Sequence, residues 1–196
     1  MDAVELFEHN IEIFKTHLEP GEPITIQQGN ALDLSAFEDE SYDITLLLGP
    51  MYHLFTREEQ KKALSEAVRV TKRGGIIASA YCMGDASILT YGFVGGYAKE
   101  IIEKCMLDPE TFETFSHPWD LFELYRITDI EQLRQDLPVT PLHFVATDGY
   151  TNHMRETVTA MDEEMYQLYL RYHFSICERP DMLGFSHHTL DIVRKN

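Results

Sequence analysis

Residues that could contact a ligand follow several predicted strands of this chain. They are Glu5, Gly29-Asn30-Ala31, Leu48-Gly49-Pro50 and Tyr81-Cys82. In an open parallel α/β sheet, ligands bind outside the carboxyl ends of the strands. We therefore expect a binding site to be built from these positions.

Glu5 and Asn30 have the chemistry needed to bind a nucleoside. A carboxylate at a strand end, such as that of Glu5, can accept hydrogen bonds from both hydroxyls of a ribose. The side-chain carbonyl of Asn30 could read the edge of an adenine ring, and Asp33 is a second polar group in that loop. Structural roles are the alternatives: an acid is favoured near a helix start, and Gly-Asn is a common turn pair.

The segment from Gly49 to Leu54 (GPMYHL) could serve the reaction itself. A glycine at a strand end lets a ligand approach the backbone closely. Tyr52 and His53 follow it, at the mouth of the predicted cleft. The imidazole of His53 could take a proton from a substrate. Alternatively, His53 bonds a helix end or packs under a lid.

The other histidines predict no metal site. His187 and His188 are adjacent on a predicted strand, so their side chains point to opposite faces and cannot bind one metal ion together. His143 and His153 have no partner at the spacing of a metal ligand. The sequence also contains neither a GxSxG nucleophile motif nor a P-loop.

The first 82 residues predict the order β-α-β-β-α-β, which is typical of a parallel α/β sheet. β-Branched or continuous apolar runs indicate strands, and apolar residues on one face indicate helices. Thr56 and Glu59 form a capping-box pattern, and the Lys72-Arg73-Gly74-Gly75 segment predicts the end of that helix. The predicted strands are 1–6, 23–28, 42–48 and 76–81, and the first helix is 7–18.

The rest of the chain predicts an aromatic, mostly helical lid and a final group of elements. The lid spans about 84–135 and would select the substrate, with Tyr91 and Trp119 as candidate contacts. We further predict strands at 142–147 and 186–194, with one long helix at 155–177. No repeat or linker divides the sequence, so we expect a single domain over 1–196.

Composition excludes several classes of partner. The formal net charge of −17 disfavours binding to nucleic acid or anionic lipid. No apolar run approaches the roughly 18 residues of a membrane span. The three cysteines show no CxxC spacing, which favours a reducing, cytoplasmic compartment over a disulfide-bonded secreted protein.

The order of these segments resembles that of the class I, Rossmann-like S-adenosylmethionine-dependent methyltransferases. The similar segments are MDAVEL with EHNIEIFK (second strand and helix), QQGNALDL (third motif), YDITLLLGPMYHL (fourth motif), EAVRVTKRGGIIASAY (helix and fifth strand) and GFSHHTLDIVRK (last, antiparallel strand). The resemblance implies a mostly parallel sheet with flanking helices and an antiparallel last strand.

The resemblance also implies a cofactor and a reaction. The cofactor would be S-adenosylmethionine, and the reaction methyl transfer to a small-molecule acceptor, with His53 as an optional base and Tyr52 as a substrate contact. Glu5 matches the acid that binds the ribose hydroxyls, and Leu48 and Gly49 match the backbone beside the methionine part. The implied cofactor contacts are Glu5, Leu6, Asn30, Ala31, Leu48 and Gly49.

The sequence departs from this family at one place. The family opens with a strand and an acid-x-G-x-G-x-G loop, and this sequence contains neither. That strand lies centrally, between the second and fourth strands, so we hypothesise an N-terminally truncated form. Its sheet could close by direct pairing of the strands at Met1 and Tyr42, or by a partner chain in a homo-oligomer.

Two other functions remain as alternatives at the level of sequence. The chain could be a non-catalytic remnant that folds as an oligomer and binds the cofactor weakly or not at all. It could also be a nicotinamide-dependent oxidoreductase, which likewise needs an acid after its second strand. The GPMYHL segment and the antiparallel tail argue against the oxidoreductase.

Overall fold

The computed structural model describes all 196 residues, in seven strands, seven α-helices and three shorter helical turns. The strands are β1 (Asp2–Glu5), β2 (Thr25–Gln28), β3 (Tyr42–Leu47), β4 (Thr71–Met83), β5 (Leu124–Tyr125), β6 (Val139–Ala146) and β7 (His188–Lys195). The α-helices are α1 (Glu8–His17), α2 (Arg57–Val70), α3 (Gly84–Ser87), α4 (Ala98–Glu103), α5 (Ile127–Arg134), α6 (Arg155–Thr159) and α7 (Glu163–Ile176). Residues Pro50–His53 and Leu183–Phe185 form 3₁₀ turns, and Ile88–Val94 forms a π-helix.

The strands form a five-stranded sheet and a separate two-stranded sheet. The larger sheet has the order β3-β4-β7-β6, with the short β5 beside β4. β4 runs parallel to β3 and β5, whereas β7 is antiparallel to both β4 and β6. β1 and β2 pair in parallel with each other. The predicted α/β class and the antiparallel last strand are confirmed.

Direct pairing of the first strand with the Tyr42 strand was one predicted way to close the sheet, and it is wrong. β1 and β3 lie in different sheets. The Tyr42 hydroxyl donates a 2.7 Å hydrogen bond to the Asp2 carboxylate. The two strands therefore touch through these side chains without a backbone ladder between them. β3 therefore has one unpaired edge, along which Ile44 and Leu46 are exposed.

The main core lies between β3, β4 and the apolar face of α2. The Thr56 side chain accepts the Glu59 amide at 3.2 Å, and its hydroxyl donates to the Glu59 carboxylate, so the predicted helix start is correct. The core also includes residues of β5, α5 and β7. Its principal members are Leu47, Met51, Ala63, Leu64, Ala67, Val68, Ile77, Tyr81, Tyr125, Ile130, Leu133 and Val193.

The predicted end of α2 at Gly74-Gly75 is wrong, because the helix ends at Val70. The Thr71 hydroxyl donates to the Ala67 carbonyl at 2.6 Å, and the chain continues directly into β4. The Lys72–Gly75 segment instead fits an irregularity in the pairing with β3, where Gly74 has a φ of +77°. A left-handed conformation of this kind explains the glycine.

Two predicted helical stretches are shorter than expected. The lid segment is helical up to Glu103, but residues 104–123 form turns and irregular chain. Pro109 and Pro118 each remove a backbone donor there, and Cys105 and Phe112 have positive φ values that end a helix. The predicted helix at 155–177 is two helices, since the Asp162 carboxylate caps a new start by accepting the Met165 amide at 2.9 Å.

None of these helices is both long enough and apolar enough to cross a membrane. Nor do three or more His, Cys, Asp or Glu side chains converge in a way that could hold a metal ion.

Candidate functional site

The ends of β1 and β2 bring Glu5 next to the Gly29-Asn30 turn. Glu5 pairs with Gln28 across the ladder, and the Gly29 amide donates to the Glu5 carbonyl at 3.0 Å. One carboxylate oxygen of Glu5 accepts the Phe7 amide at 3.0 Å and the Asn10 side chain at 3.2 Å. The other oxygen, Oε2, has no partner in the protein and is free to accept hydrogen bonds from a ligand.

Asn30 shapes a turn, which was the structural alternative to ligand binding. Its side chain still has one free hydrogen-bond donor. Its side-chain oxygen accepts the Leu32 amide at 2.9 Å, whereas Nδ2 has no partner in the protein. The Asp33 carboxylate accepts the Ser35 amide at 3.0 Å, and the hydrogen bond from Ser35 lowers the pKa of Asp33. Ala31 and Leu32 pack against the core, which fixes the turn. Asn30 can therefore donate to a ligand while it shapes the loop.

Arg69 of α2 holds the chain that follows this turn. Its guanidinium donates to the carbonyls of Leu34 (2.7 Å) and Phe37 (2.9 Å), and it pairs with the buried Glu66 at 2.9 Å. Glu66 in turn accepts the Leu34 amide at 2.7 Å. The hydrogen bond from Arg69 keeps the pKa of Glu66 below its usual range despite burial. The loop containing Asn30 is thus tied to the helix that forms the core.

The end of β3 presents open space at the position expected for a ligand. Leu48 is exposed, and a Cβ atom added to Gly49 would meet no atom within 4 Å. Packing therefore does not require glycine here, and the open space leaves room for a ligand to approach the backbone.

Tyr52 and His53 lie together with Phe122 beyond this glycine. The turn is anchored by the fully buried Met51, whose carbonyl accepts the Tyr125 hydroxyl at 2.8 Å. The Phe122 ring lies 6.1 Å from that of Tyr52 and 5.6 Å from that of His53. Burial raises the pKa of Tyr52 to about 12, so the phenol is neutral and can donate a hydrogen bond. The His53 side chain is exposed and makes no hydrogen bond to the protein.

The other two predicted substrate contacts lie elsewhere. Tyr91 packs edge-on against His187, with ring centres 6.1 Å apart. Trp119 is 80% exposed and stacks on His117 at 4.7 Å. Neither ring makes an aromatic contact with Tyr52, so the structure does not gather all three around one cavity. Their roles as substrate contacts stay predictions.

Glu123 is a candidate that sequence reasoning missed. Its amide donates to the Tyr52 carbonyl at 2.7 Å, so the Glu123 backbone lies beside that of Tyr52. Burial raises its pKa to about 7, and the nearby Gln60 side chain donates to it at 3.5 Å. No periodic signal marks residues 104–123, so nothing in the sequence pattern singles out this acid.

Asp148 and His188 form a second pair that was missed. Asp148 follows β6 and His188 begins β7, and the His188 Nδ1 lies 3.1 Å from an Asp148 oxygen. The His188 ring is 5.9 Å from that of Tyr52. The rule that ligands meet strand ends, applied to β6, could have found Asp148. His188 was considered only as a metal ligand.

Residues 2–79 match the model of a methyltransferase domain family. This part of the chain is similar to that family, and the match ends within β4. The matched residues include Glu5, Asn30, Gly49 and Tyr52. The resemblance to class I methyltransferases inferred from the sequence is confirmed.

Solved structures show the same fold over the whole chain. A SAM-dependent methyltransferase from Methanosarcina mazei aligns with a TM-score of 0.60 at 16% identity, covering 99% of this chain and 81% of the other. A Haloferax volcanii protein solved with the Trm112 methyltransferase activator gives 0.55 at 12% identity, covering 98% and 70%. The N-methyltransferase NodS of Bradyrhizobium japonicum gives 0.53 at 12% identity, covering 99% and 72%. No curated protein matches the sequence.

Proposed function

We propose that this methyltransferase domain binds S-adenosylmethionine and transfers its methyl group to a small-molecule acceptor. The proposal rests on three features that occur together at the strand ends. A free carboxylate oxygen on Glu5, a free amide donor on Asn30 and open space at Gly49 all lie within the residues that match the family. The acidic net charge favours a small molecule over nucleic acid as the acceptor.

The residues present fit this cofactor. Glu5 Oε2 would accept the ribose hydroxyls, and the Asn30 Nδ2 would donate to a ring nitrogen of the adenine. Leu6 and Ala31 would supply apolar contact, and Leu48 with Gly49 would lie beside the methionine part. When bound, the cofactor supplies a methyl group already activated by its sulfonium. The protein therefore has mainly to position the acceptor and exclude water.

Tyr52, Phe122 and His53 would form the acceptor side of the site. The neutral Tyr52 hydroxyl can orient a polar group of the acceptor, while Phe122 covers its apolar part. His53 is exposed and unbonded, so its ring can take up a proton that the acceptor releases. The lid residues Tyr91 and Trp119 would reach the acceptor only if the lid moves, since both now pack away from Tyr52.

A non-catalytic remnant is the second candidate. It is favoured by the exposed apolar edge of β3. In this alternative Glu5 and Asn30 have only a structural role, in a fold that binds the cofactor weakly or not at all. Turnover distinguishes the two candidates.

The test measures S-adenosylhomocysteine released during incubation with S-adenosylmethionine and single amine, hydroxyl, thiol and carboxylate acceptors. We expect acceptor-dependent release by the unaltered chain and a loss of at least about 10-fold in Glu5→Ala, because charged hydrogen bonds contribute about 1.5–3 kcal/mol each. Glu8→Ala, an exposed acid three residues away, is the matched control. A folded chain that binds the product but turns over no acceptor would favour the remnant.

The role of His53 has its own test. His53→Gln keeps a polar side chain but cannot take up a proton. If His53 is the base, turnover falls by about 10²–10⁴-fold, and affinity for S-adenosylhomocysteine stays the same. Unchanged turnover across the pH range would exclude His53 as the base.

A further inference from the structure

A carboxylate, a hydroxyl and an imidazole converge where the end of β6 meets the start of β7. The Asp148 carboxylate accepts the His188 amide at 3.0 Å, the Asn152 side chain at 2.9 Å and the Ser186 hydroxyl. Its Oδ2 also faces Nδ1 of the His188 ring at 3.1 Å. Ser186 is fully buried and accepts the Gly149 amide at 3.0 Å. Asp148 is thus held rigidly, and it fixes the orientation of the imidazole.

This arrangement keeps His188 charged. The hydrogen bond that His188 donates to the Asp148 carboxylate is the main cause that raises the pKa of His188 to about 10, and the neighbouring Cys82 adds to it. Burial alone would raise the pKa of Asp148, but the hydrogen bonds from His188 and Ser186 outweigh it and keep that pKa below its usual range. The groups facing the ring are Asp148, the Cys82 thiol on β4, the Tyr52 phenol and the adjacent His187.

The charged ring offers a donor toward the cleft. Nδ1 is directed at Asp148, so the other nitrogen, Nε2, points away from it and has no oxygen acceptor in the protein. The Tyr52 hydroxyl likewise has no partner, and its ring lies 5.9 Å from that of His188. Cys82 sulfur is only a weak acceptor. Two polar donors with no strong acceptor therefore lie on neighbouring rings, and Phe122 and His53 pack against the Tyr52 ring.

We propose that His188 and Tyr52 bind a carboxylate on the methyl acceptor, with Asp148 as the residue that positions His188. This inference rests on the proposed function for the identity of the acceptor site. A pair of N–H and O–H donors, one of them cationic, favours an anionic oxygen over a neutral one. Phe122 and His53 add an apolar wall. The structure thus assigns the acceptor to small carboxylic acids with an apolar body.

The test compares phenylacetate with the uncharged phenylacetamide, which has the same shape, by NMR titration of the whole chain with labelled histidine. We expect phenylacetate to bind at least 10-fold more tightly and to shift the His188 ring signals. His188→Gln should remove this preference. His143→Gln is the matched control, because His143 also pairs with an acid, Glu178, at 2.7 Å, but within the edge strand β6.

A second variant separates positioning from folding. In Asp148→Asn the pKa of His188 should fall toward the ordinary value. The preference for phenylacetate should then be lost at pH 8 and regained at pH 5.5, a rescue that a purely structural role for Asp148 would not give. No preference in the unaltered chain, or a preference that survives His188→Gln, would overturn the proposal. Binding of S-adenosylhomocysteine, measured on the same samples, reports separately on the proposed function and should survive His188→Gln.

Discussion

Gly49 allows a test of the cofactor site at the scale of one side chain. Because a Cβ there meets no atom within 4 Å, the folded chain has room for the side chain of Gly49→Val, and circular dichroism should show that the variant folds. The added methyl groups would occupy the space that a ligand needs. We therefore expect affinity for S-adenosylhomocysteine to fall at least about 10-fold, as steric loss of 1.4 kcal/mol or more would give.

Gly184→Val is the control for this prediction, since Gly184 also faces open space but lies in the turn before β7. Gly184→Val should bind S-adenosylhomocysteine as tightly as the unaltered chain does. Equal affinity in Gly49→Val and Gly184→Val would contradict the placement of the ligand at Gly49.

Glu123 gives a prediction about pH and stability. Burial raises its folded pKa to about 7, above its unfolded value of about 4.5. The stability that the neutral carboxyl contributes is present below about pH 4.5 and is lost as pH rises through 7. Glu123→Gln should therefore raise the stability at pH 8 by about 1 kcal/mol, or about 2–4 °C in melting temperature.

At pH 4.5 the Glu123→Gln variant should have the same melting temperature as the unaltered chain, because both side chains are then neutral in the folded state. The exposed Glu110 provides the control: Glu110→Gln should change the melting temperature at neither pH. A Glu123→Gln variant that is less stable at pH 8 would show that this carboxylate is ionised and paired in the fold.

At the scale of elements, Arg69 determines where the Asn30 loop lies. Arg69→Ala would remove two hydrogen bonds to loop carbonyls and leave the buried Glu66 with only the more distant Lys62, at 3.6 Å, as a cationic partner. We expect the free energy of unfolding in urea to fall by about 2–3 kcal/mol. Amide signals of residues 30–37 should also shift, because the loop is released from α2.

Arg73 supplies the comparison for Arg69, because it pairs with Glu40 at 3.4 Å but is largely exposed. Exposed ion pairs contribute about 0–1 kcal/mol, so Arg73→Ala should have little effect. Similar losses in the two variants would mean that the network around Arg69 does not hold the loop.

The elements that the sequence predicted well are those whose signal is local. The continuous apolar run of β3 and the Thr56 cap of α2 depend on neighbouring residues alone, and both are confirmed. Gly74-Gly75 misled the prediction because glycine pairs end helices and also occur at strand irregularities. Which of the two applies depends on the pairing of β4 with β3, a contact between distant parts of the chain.

The residues of the candidate site likewise divide into those with a local sequence signal and those without one. Glu5, Asn30 and Gly49 could be predicted because strand ends can be located from sequence. The Asp148–His188 pair could not, since it depends on the register between β6 and β7 and on the side-chain bond of Ser186. Lid contacts were predicted from aromatic content alone, which does not say what Tyr91 and Trp119 face.

At the scale of the whole molecule, the unpaired edge of β3 is the feature with the largest consequence. Its backbone groups are free to pair with another strand, and Ile44 and Leu46 are exposed beside it. Edges of this kind promote self-association. We expect light scattering after gel filtration to show an average mass that rises with protein concentration.

Leu46→Lys should reduce that association, because a charge on an edge strand opposes pairing. Leu168→Lys makes the same change at a similarly exposed leucine of α7, away from any strand edge, and should leave the association as it was. A chain that stays monomeric at every concentration, or one that both substitutions dissociate equally, would contradict a role for this edge.

The central claim is that the ends of β1, β2 and β3 form the cofactor site, and a calorimetric titration with S-adenosylhomocysteine tests it most directly. The chain should bind at micromolar strength. Glu5→Ala should weaken binding by about 10- to 100-fold through the loss of charged hydrogen bonds, whereas Glu8→Ala should bind like the unaltered chain. No binding by a folded chain, or equal binding by Glu5→Ala, would contradict the account.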